Sequence, residues 1–292
     1  MPKRVLLQTT IPPTPDDWSI ARFGLLSEFL DGQRAADGSR LFTITARDRD
    51  RASGPDAVLS KIDESDFDEL WLFAVDTGDG LSPEDCAAIT RFRKRSGGLL
   101  VTRDHMDLGS SVCSLGGVGK AHHFHTRNPE LDPARRRIDD PYTKAILWPN
   151  YHSGDNGDYQ EIEPSGELHP VMKDAKSETG QIRYLPAHPH EGAVSAPPDD
   201  PTARVIALGH SKVTGVPFNI AVAFEPSGTN GPAIAQSTFH HFADYNWNTS
   251  RLCPSFVDEP PSQGLSQFPE AMRSTKAYMR NVAIWLAGGR QG

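Results

Sequence analysis

The stretch ELWLFAVDTGDGLSPEDCAAITRFRKRSGGLLVTRDH, residues 69–105, carries the architecture in miniature. Glu69 to Val75 is a short, nearly continuous apolar run, the pattern of a strand covered on both faces. Ser82, Pro83, Glu84 and Asp85 then supply an N-cap, a proline for the first turn and two carboxylates at the positive end of a helix dipole. A helix is therefore expected to run to Arg95, with Gly97 and Gly98 closing it, and Leu99 to Thr102 forms the next strand. Strand, helix, strand at this spacing is a βαβ unit, whose two strands must lie parallel through a right-handed crossover.

Working outward, the same punctuation recurs. Upstream, Val5 to Thr10 reads as a buried strand stopped by Pro12 and Pro13, and Leu41 to Ala46 as another. Between them Asp16 or Asp17 offers an N-cap for a helix with Trp18, Ala21, Leu25 and Phe29 on one side and Gly32 as its stop. Ala57 to Ile62 is a short, weakly patterned helix. Downstream, Arg204 to Leu208, Asn219 to Phe224 and Ala233 to Ser237 are strands. The last helix spans Met272 to Leu286, with Tyr278, Val282, Trp285 and Leu286 on one face and Gly288 and Gly289 after it. The prediction is an α/β, flavodoxin-like three-layer fold with a mostly parallel central sheet, one domain over residues 1–292. From about 104 to 201 the chain is rich in Pro, Gly, His and Asp, and so long an irregular insertion inside a domain usually carries function.

Composition excludes several classes. A formal charge of -8 argues against nucleic acid, whose phosphates demand a concentrated basic surface. The run Arg135 to Arg137 is followed at once by Asp139 and Asp140 and reads as a solvated loop. Cys86, Cys113 and Cys253 form no C-x-x-C, so no disulfide framework or cysteine zinc site is expected, and a reducing compartment fits. Val5 to Leu7 is too brief for a signal-peptide core, and no apolar stretch approaches the roughly 20 residues that span a bilayer. The expectation is a cytoplasmic protein with a small-molecule substrate, no nucleic-acid or membrane partner, and nothing against homo-oligomer formation.

Ligands of open parallel sheets bind beyond the carboxyl ends of the strands. Asp104 and His105 stand there, after the Leu99 strand, as a carboxylate able to fix and charge an imidazole. In AHHFHTRNPE, His123 and His125 would share a face if extended, as two ligands of zinc or another divalent metal such as manganese or iron do. WPNYHSGDNGDYQ holds His152, Asp158 and Tyr159 among polar neighbours suited to a polyhydroxylated ligand. PAHPHEGAV puts His188 and His190 on one side and offers Glu191 as acid or base. His240 or His241 follows the Ala233 strand and can reach the same cleft; neighbours on an extended segment face opposite ways, so one of them points inward. Nucleophilic cysteine chemistry lacks its residue: Cys113 lies beyond the elbow and Cys86 inside a helix. G-x-S-x-G, Walker A and G-x-G-x-x-G are all missing, which removes the common nucleophile-elbow and nucleotide readings.

GGLLVTRDH at 97–105, ELHPVM at 167–172, ARVIALGHS at 203–211 and YMRNVAIWLAGG at 278–289 together resemble the trehalose-utilisation, or ThuA-like, family of the class I glutamine amidotransferase-like superfamily. The resemblance implies a flavodoxin-type domain that keeps the amidotransferase scaffold without its cysteine nucleophile, and a link to sugar metabolism. It also implies that His105, His169 and His210 lie near the site, with His190 and Glu191 where relatives carry an acidic pair before an aromatic residue. That aromatic residue is missing here, and the HHFHTRNPE and NYHSGDNGDYQ insertions depart from the pattern. The working expectation is an enzyme acting on a small, polar, carbohydrate-like molecule by acid–base catalysis, with a divalent metal compatible, as hydrolase, lyase or isomerase. Asp104, His105, His190 and Glu191 would be catalytic; His152, Asp158, Tyr159, His169, His210 and His241 would hold substrate. The competing class is a non-catalytic ligand-binding or scaffold protein in which these histidines are structural.

Overall fold

A computed structural model describes residues 1–288. Its strands are β1 Lys3–Thr9, β2 Phe42–Arg47, β3 Glu69–Phe73, β4 Gly98–Val101, β5 His122–His123, β6 Tyr159–Glu161, β7 Glu163–Pro164, β8 Tyr184–Pro186, β9 Ala193–Val194, β10 Ala203–His210, β11 Pro217–Phe224 and β12 Ala233–Gln236. The α-helices are α1 Gly24–Asp31, α2 Pro83–Lys94, α3 Asp244–Trp247, α4 Gly264–Gln267 and α5 Pro269–Leu286. Eight strands form the central sheet in the order β2-β1-β3-β4-β12-β11-β10-β7. β1 to β4 and β12 are mutually parallel, whereas β11, β10 and β7 pair antiparallel. Physical necessity explains the switch: only Ser211 to Val216 separate β10 from β11, too few residues for a crossover.

Residues on successive strand positions feed two cores. Val5, Leu7, Trp71 and Phe73 face the layer holding α1 and α5, while Leu6, Leu70 and Leu72 face the layer holding α2 with Ile89 and Phe92. This is the expected three-layer sandwich. α2 begins at the N-cap read from the sequence, and the structure closes it as a capping box: Asp85 N–H donates to Ser82 Oγ, and the Ser82 N–H to Asp85.

The amino-terminal helix differs from expectation. Neither Asp16 nor Asp17 caps it; Asp16 accepts from Ser255 and Asp17 from the Trp18 N–H. A 3-10 turn over Ile20–Phe23 intervenes, and the carboxylate of Asp244 accepts from Gly24 N and Leu25 N at 3.1 and 2.8 Å, a cap supplied across the fold. Phe23, Leu26 and Leu30 are its fully buried side chains; of the expected face, Trp18 is buried ahead of the helix, Leu25 and Phe29 pack half-buried on the same core, and Ala21 is exposed. Ala57 to Ile62 is also revised, to a 3-10 segment over Leu59–Glu64. Of the two terminal glycines, Gly288 follows α5 and Gly289 lies outside the described residues. Among the described residues no helix is long and apolar enough to cross a membrane.

Candidate functional site

The site is built where β4 and β12, adjacent in the sheet, run out at their carboxyl ends. Beyond Val101 the chain turns through an elbow in which Met106 adopts a φ of 49°, a left-handed conformation uncommon outside glycine. The buried guanidinium of Arg103 fastens this elbow. It donates to the carbonyls of Asp104 and Met106 on the elbow, His123 on β5 and Ala193 on β9, and lies 4.0 Å above the Phe124 ring centroid. Burial pushes Arg103 down to about 9, yet it stays charged at neutral pH. β12 continues alongside: the Phe239 N–H donates to the Arg103 carbonyl at 2.8 Å, setting His240 beside Asp104.

The third wall is the segment between β8 and β9. Tyr151 and Glu191 exchange backbone hydrogen bonds at 2.9 Å, and the Ser153 hydroxyl accepts from His188 N–H. This bridge brings His152, His188 and His190 to the elbow. Asp104 Oδ2 lies 3.3 Å from His105 Nδ1 and 3.5 Å from His240 Nε2, and its Oδ1 lies 3.9 Å from His188 Nδ1. The imidazoles of His188 and His240 stack, centroids 3.5 Å apart. His105 is the rim member, its side chain 18% exposed against 3% for Asp104. His190 adds a second imidazole–carboxylate pair, with Nε2 3.0 Å from Glu259 Oε1, and its ring lies 5.1 Å from that of His105.

The electrostatics follow from this crowding. Burial alone would raise Asp104, but the facing His105 and His240 imidazoles hold its carboxyl well below the usual range. Burial drives His188 well below the usual imidazole value, so it is neutral. Burial also lowers His152, against the Pro189 carbonyl. The hydrogen bond from His190 lowers Glu259.

Of the residues singled out in the sequence, Asp104, His105, His152, His188, His190 and His240 converge here. Glu191, His241, Asp158, Tyr159, His169, His210, His123 and His125 do not. Glu191 is fully buried behind the site, its oxygens taken by Ser237 Oγ at 2.7 Å and by Gln160 Nε2 at 2.5 Å. His241 faces the same interior, with Gln236 at 2.8 Å and Glu191 at 3.4 Å; the inward member of the histidine pair is His241, and His240 faces Asp104. Asp158 is tied to Lys212 at 3.0 Å. Tyr159 packs against Tyr184 and Phe268, at the α5 side. His169 caps a 3-10 turn under Trp285 and lies 3.3 Å from Glu225, at the amino-terminal edge of the parallel strands, because β11 runs antiparallel. His210 ends β10, exposed, on the far side of β11 from β12.

His123 and His125 do not form a metal pair. β5 ends at His123, so the alternation stops before His125, which lies against Trp148. Both His123 nitrogens are occupied, by Ser195 Oγ at 2.6 Å and the Asn128 carbonyl at 3.0 Å. The sequence also gave no signal for Glu259 or Asn246, which reach the cluster from a loop and a four-residue helix far along the chain. Cavities of about 730 and 300 Å³ lie elsewhere, one between α1 and α5 beside Phe29 and Met272, the other beside Arg93 and Gly117.

These features define an α/β protein with a three-layer fold around a mostly parallel sheet, a fold it shares with a known glutaminase domain. The glutaminase domain of Trypanosoma brucei CTPS, solved with bound acivicin, superposes with a TM-score of 0.50 at 16% identity, covering 99% of this chain and 96% of that one. Weaker likenesses are to the carbohydrate deacetylase Agd3, TM-score 0.39 at 10% identity over 85% of this chain and 32% of that one, and to the exo-β-1,4-mannosidase Op5Man5 from Opitutaceae bacterium strain TAV5, TM-score 0.34 at 10% identity over 95% and 35%. No protein-family model and no curated protein sequence matches the chain. The scaffold is shared with a glutaminase, but the elbow carries Asp104 and His105 and no cysteine; burial pushes Cys86 up to about 12 and Cys113 up to about 11, away from the thiolate form.

Proposed function

We propose that the protein is a hydrolase of small, polar, carbohydrate-like molecules, working by imidazole–carboxylate acid–base catalysis at the β4–β12 edge. The observation that carries this reading is the pairing of two such dyads, Asp104 with His105 and Glu259 with His190, whose rings lie 5.1 Å apart. Two proton-transferring groups at that separation can serve opposite sides of one bond: one withdraws a proton from attacking water while the other delivers a proton to the leaving oxygen or nitrogen. Asp104 orients His105, and Glu259 orients His190 from the other wall. His152, with Tyr142 beside it and Asp155 bonded to the Tyr142 hydroxyl, gives the rim polar groups for substrate hydroxyls. The resemblance to ThuA-like proteins points to the same substrate class. The partner is then a small molecule, and no nucleic acid or membrane is required.

The test is a panel of nitrophenyl glycosides and acylated sugars, measured for the wild type, His105→Ala, His190→Ala and His210→Ala. Loss of an acid–base group is expected to lower kcat by about 10²–10⁴-fold in the first two variants. His210→Ala, altered on the exposed far strand, is expected to keep full activity. Hydrolysis that survives both site variants, or no turnover of any substrate in the panel, overturns the reading.

A further inference from the structure

Five imidazoles and two carboxylates share the edge described above, yet two acceptor atoms inside it face one another without a proton between them. Asp104 Oδ1 is buried and receives no hydrogen bond. The nearest imidazole atom of His188 is Nδ1, 3.9 Å away, and it is an acceptor, because it takes the backbone N–H of His190 at 3.1 Å.

The orientation of His240 is fixed independently. Asn246 is fully buried, and its Nδ2 donates to Asn156 Oδ1 at 2.8 Å and to the Ala187 carbonyl at 3.1 Å. With both amide hydrogens committed, Asn246 Oδ1 is the acceptor for His240 Nδ1–H at 3.0 Å. With Nδ1 engaged there, Nε2 is the His240 atom that faces Asp104 Oδ2, 3.5 Å away, and the one a metal ion would take. Trp18, edge-on at 4.6 Å, and Phe239, stacked at 4.1 Å, hold the ring from its other sides. One donor atom from each of Asp104, His188 and His240 lies within 4.8 Å of the other two.

We infer that Asp104, His188 and His240 bind one divalent transition-metal ion, zinc foremost, with Asn246 as the residue that positions His240. Bonds of about 2.0–2.2 Å in a tetrahedral site set ligand atoms roughly 3.4 Å apart, near the 3.5 and 3.9 Å found here. Two imidazoles and a carboxylate leave a fourth position open, and imidazole donors favour zinc over magnesium or calcium. An ion lies in the plane of an imidazole that binds it, so occupancy turns the His188 ring out of its stack with His240 and gives up the bond from His190 N–H. Asn246 joins both ligand segments: it holds the His240 ring through Oδ1 and the backbone preceding His188 through Nδ2. Second-sphere partners of this kind fix the tautomer and raise ligand basicity.

The inference deepens the proposed function, because the ion would sit between the two dyads, but its test needs no substrate. Full-length protein without a histidine tag, stripped with chelator, is titrated with zinc, with magnesium, and with cobalt(II) as a spectroscopic probe. One zinc per chain, a cobalt spectrum of tetrahedral intensity and no magnesium binding are expected. Asp104→Asn or His240→Gln should abolish binding, whereas His123→Ala should not change it. Asn246→Ala should weaken zinc by about 10–100-fold, and Asn246→Asp, which restores an acceptor for His240 Nδ1–H, should recover much of that loss. Melting curves of the metal-free variants separate lost binding from lost folding, and the wild-type titration stands whatever they show. Substoichiometric zinc in the wild type, or binding removed by His123→Ala and kept by His240→Gln, overturns the inference. Hydrolysis lost in His105→Ala with no zinc bound would sink the metal site alone; zinc bound with no hydrolysis would sink the proposed function alone.

Discussion

Arg103→Met isolates the post that holds the site to the fold. Arg103 is fully buried, belongs to none of the described ion pairs, and donates only to carbonyls, those of Asp104, His123, Ala193 and Met106. Four hydrogen bonds from a charged donor, each about 1.5–3 kcal/mol, give a gross loss of about 6–12 kcal/mol. Methionine keeps much of the stem and relieves the cost of burying a cation, so the net destabilisation expected is about 3–5 kcal/mol. At about 2–3 °C per kcal/mol for a chain of this size, Tm should fall by about 6–15 °C. Arg103→Lys keeps the charge but loses the planar five-donor fork and should fall between the two. Gly192 reports the same contact from the other side: a Cβ there would stand 2.5 Å from the Arg103 guanidinium carbon, so Gly192→Ala should reproduce part of the loss. Thermal unfolding followed by circular dichroism measures all three. A melting point for Arg103→Met within about 2 °C of the wild type, or a lysine variant as unstable as the methionine one, would refute the assignment.

Two further expectations concern the scaffold. Asp244→Ala should cost about 1–2 kcal/mol by uncapping α1, and Asp17→Ala less; the reverse order in denaturant titrations would mean that the cap is local after all. Glu69 is fully buried with one oxygen on Trp71 Nε1 at 2.8 Å and the other without a partner, and burial raises its pKa well above 4.5. A carboxyl that holds its proton more tightly when folded contributes fully below its unfolded pKa, and stability drains away as pH rises toward the folded value. Glu69→Gln, neutral throughout, should therefore match the wild type in Tm near pH 4 and exceed it increasingly toward pH 8. A gap that shrinks with rising pH would count against the buried-acid reading.

Residues 69–105 settled the scaffold because a helix with its own cap, stop and flanking apolar runs allows only a parallel crossover, whatever surrounds it. The edge position of Asp104 and His105 followed from the same local reasoning. The alternation rule showed that His240 and His241 must face opposite ways, but which one faces Asp104 depended on the Phe239–Arg103 hydrogen bond, a contact between strands 136 positions apart in the sequence. His123 and His125 failed as a pair because β5 lasts only two residues, and Glu191 and His241 turned inward because Gln160, Gln236 and Ser237 complete a buried network that only the packed chain assembles. By itself the sequence determined periodicity, caps and the strand ends where polar residues gather, all set by neighbours within a few positions. Only the tertiary structure decided which of those polar residues meet, since Asp104, His188, His240, Asn246 and Glu259 come from separate segments whose approach is fixed by packing and has no signature in local order.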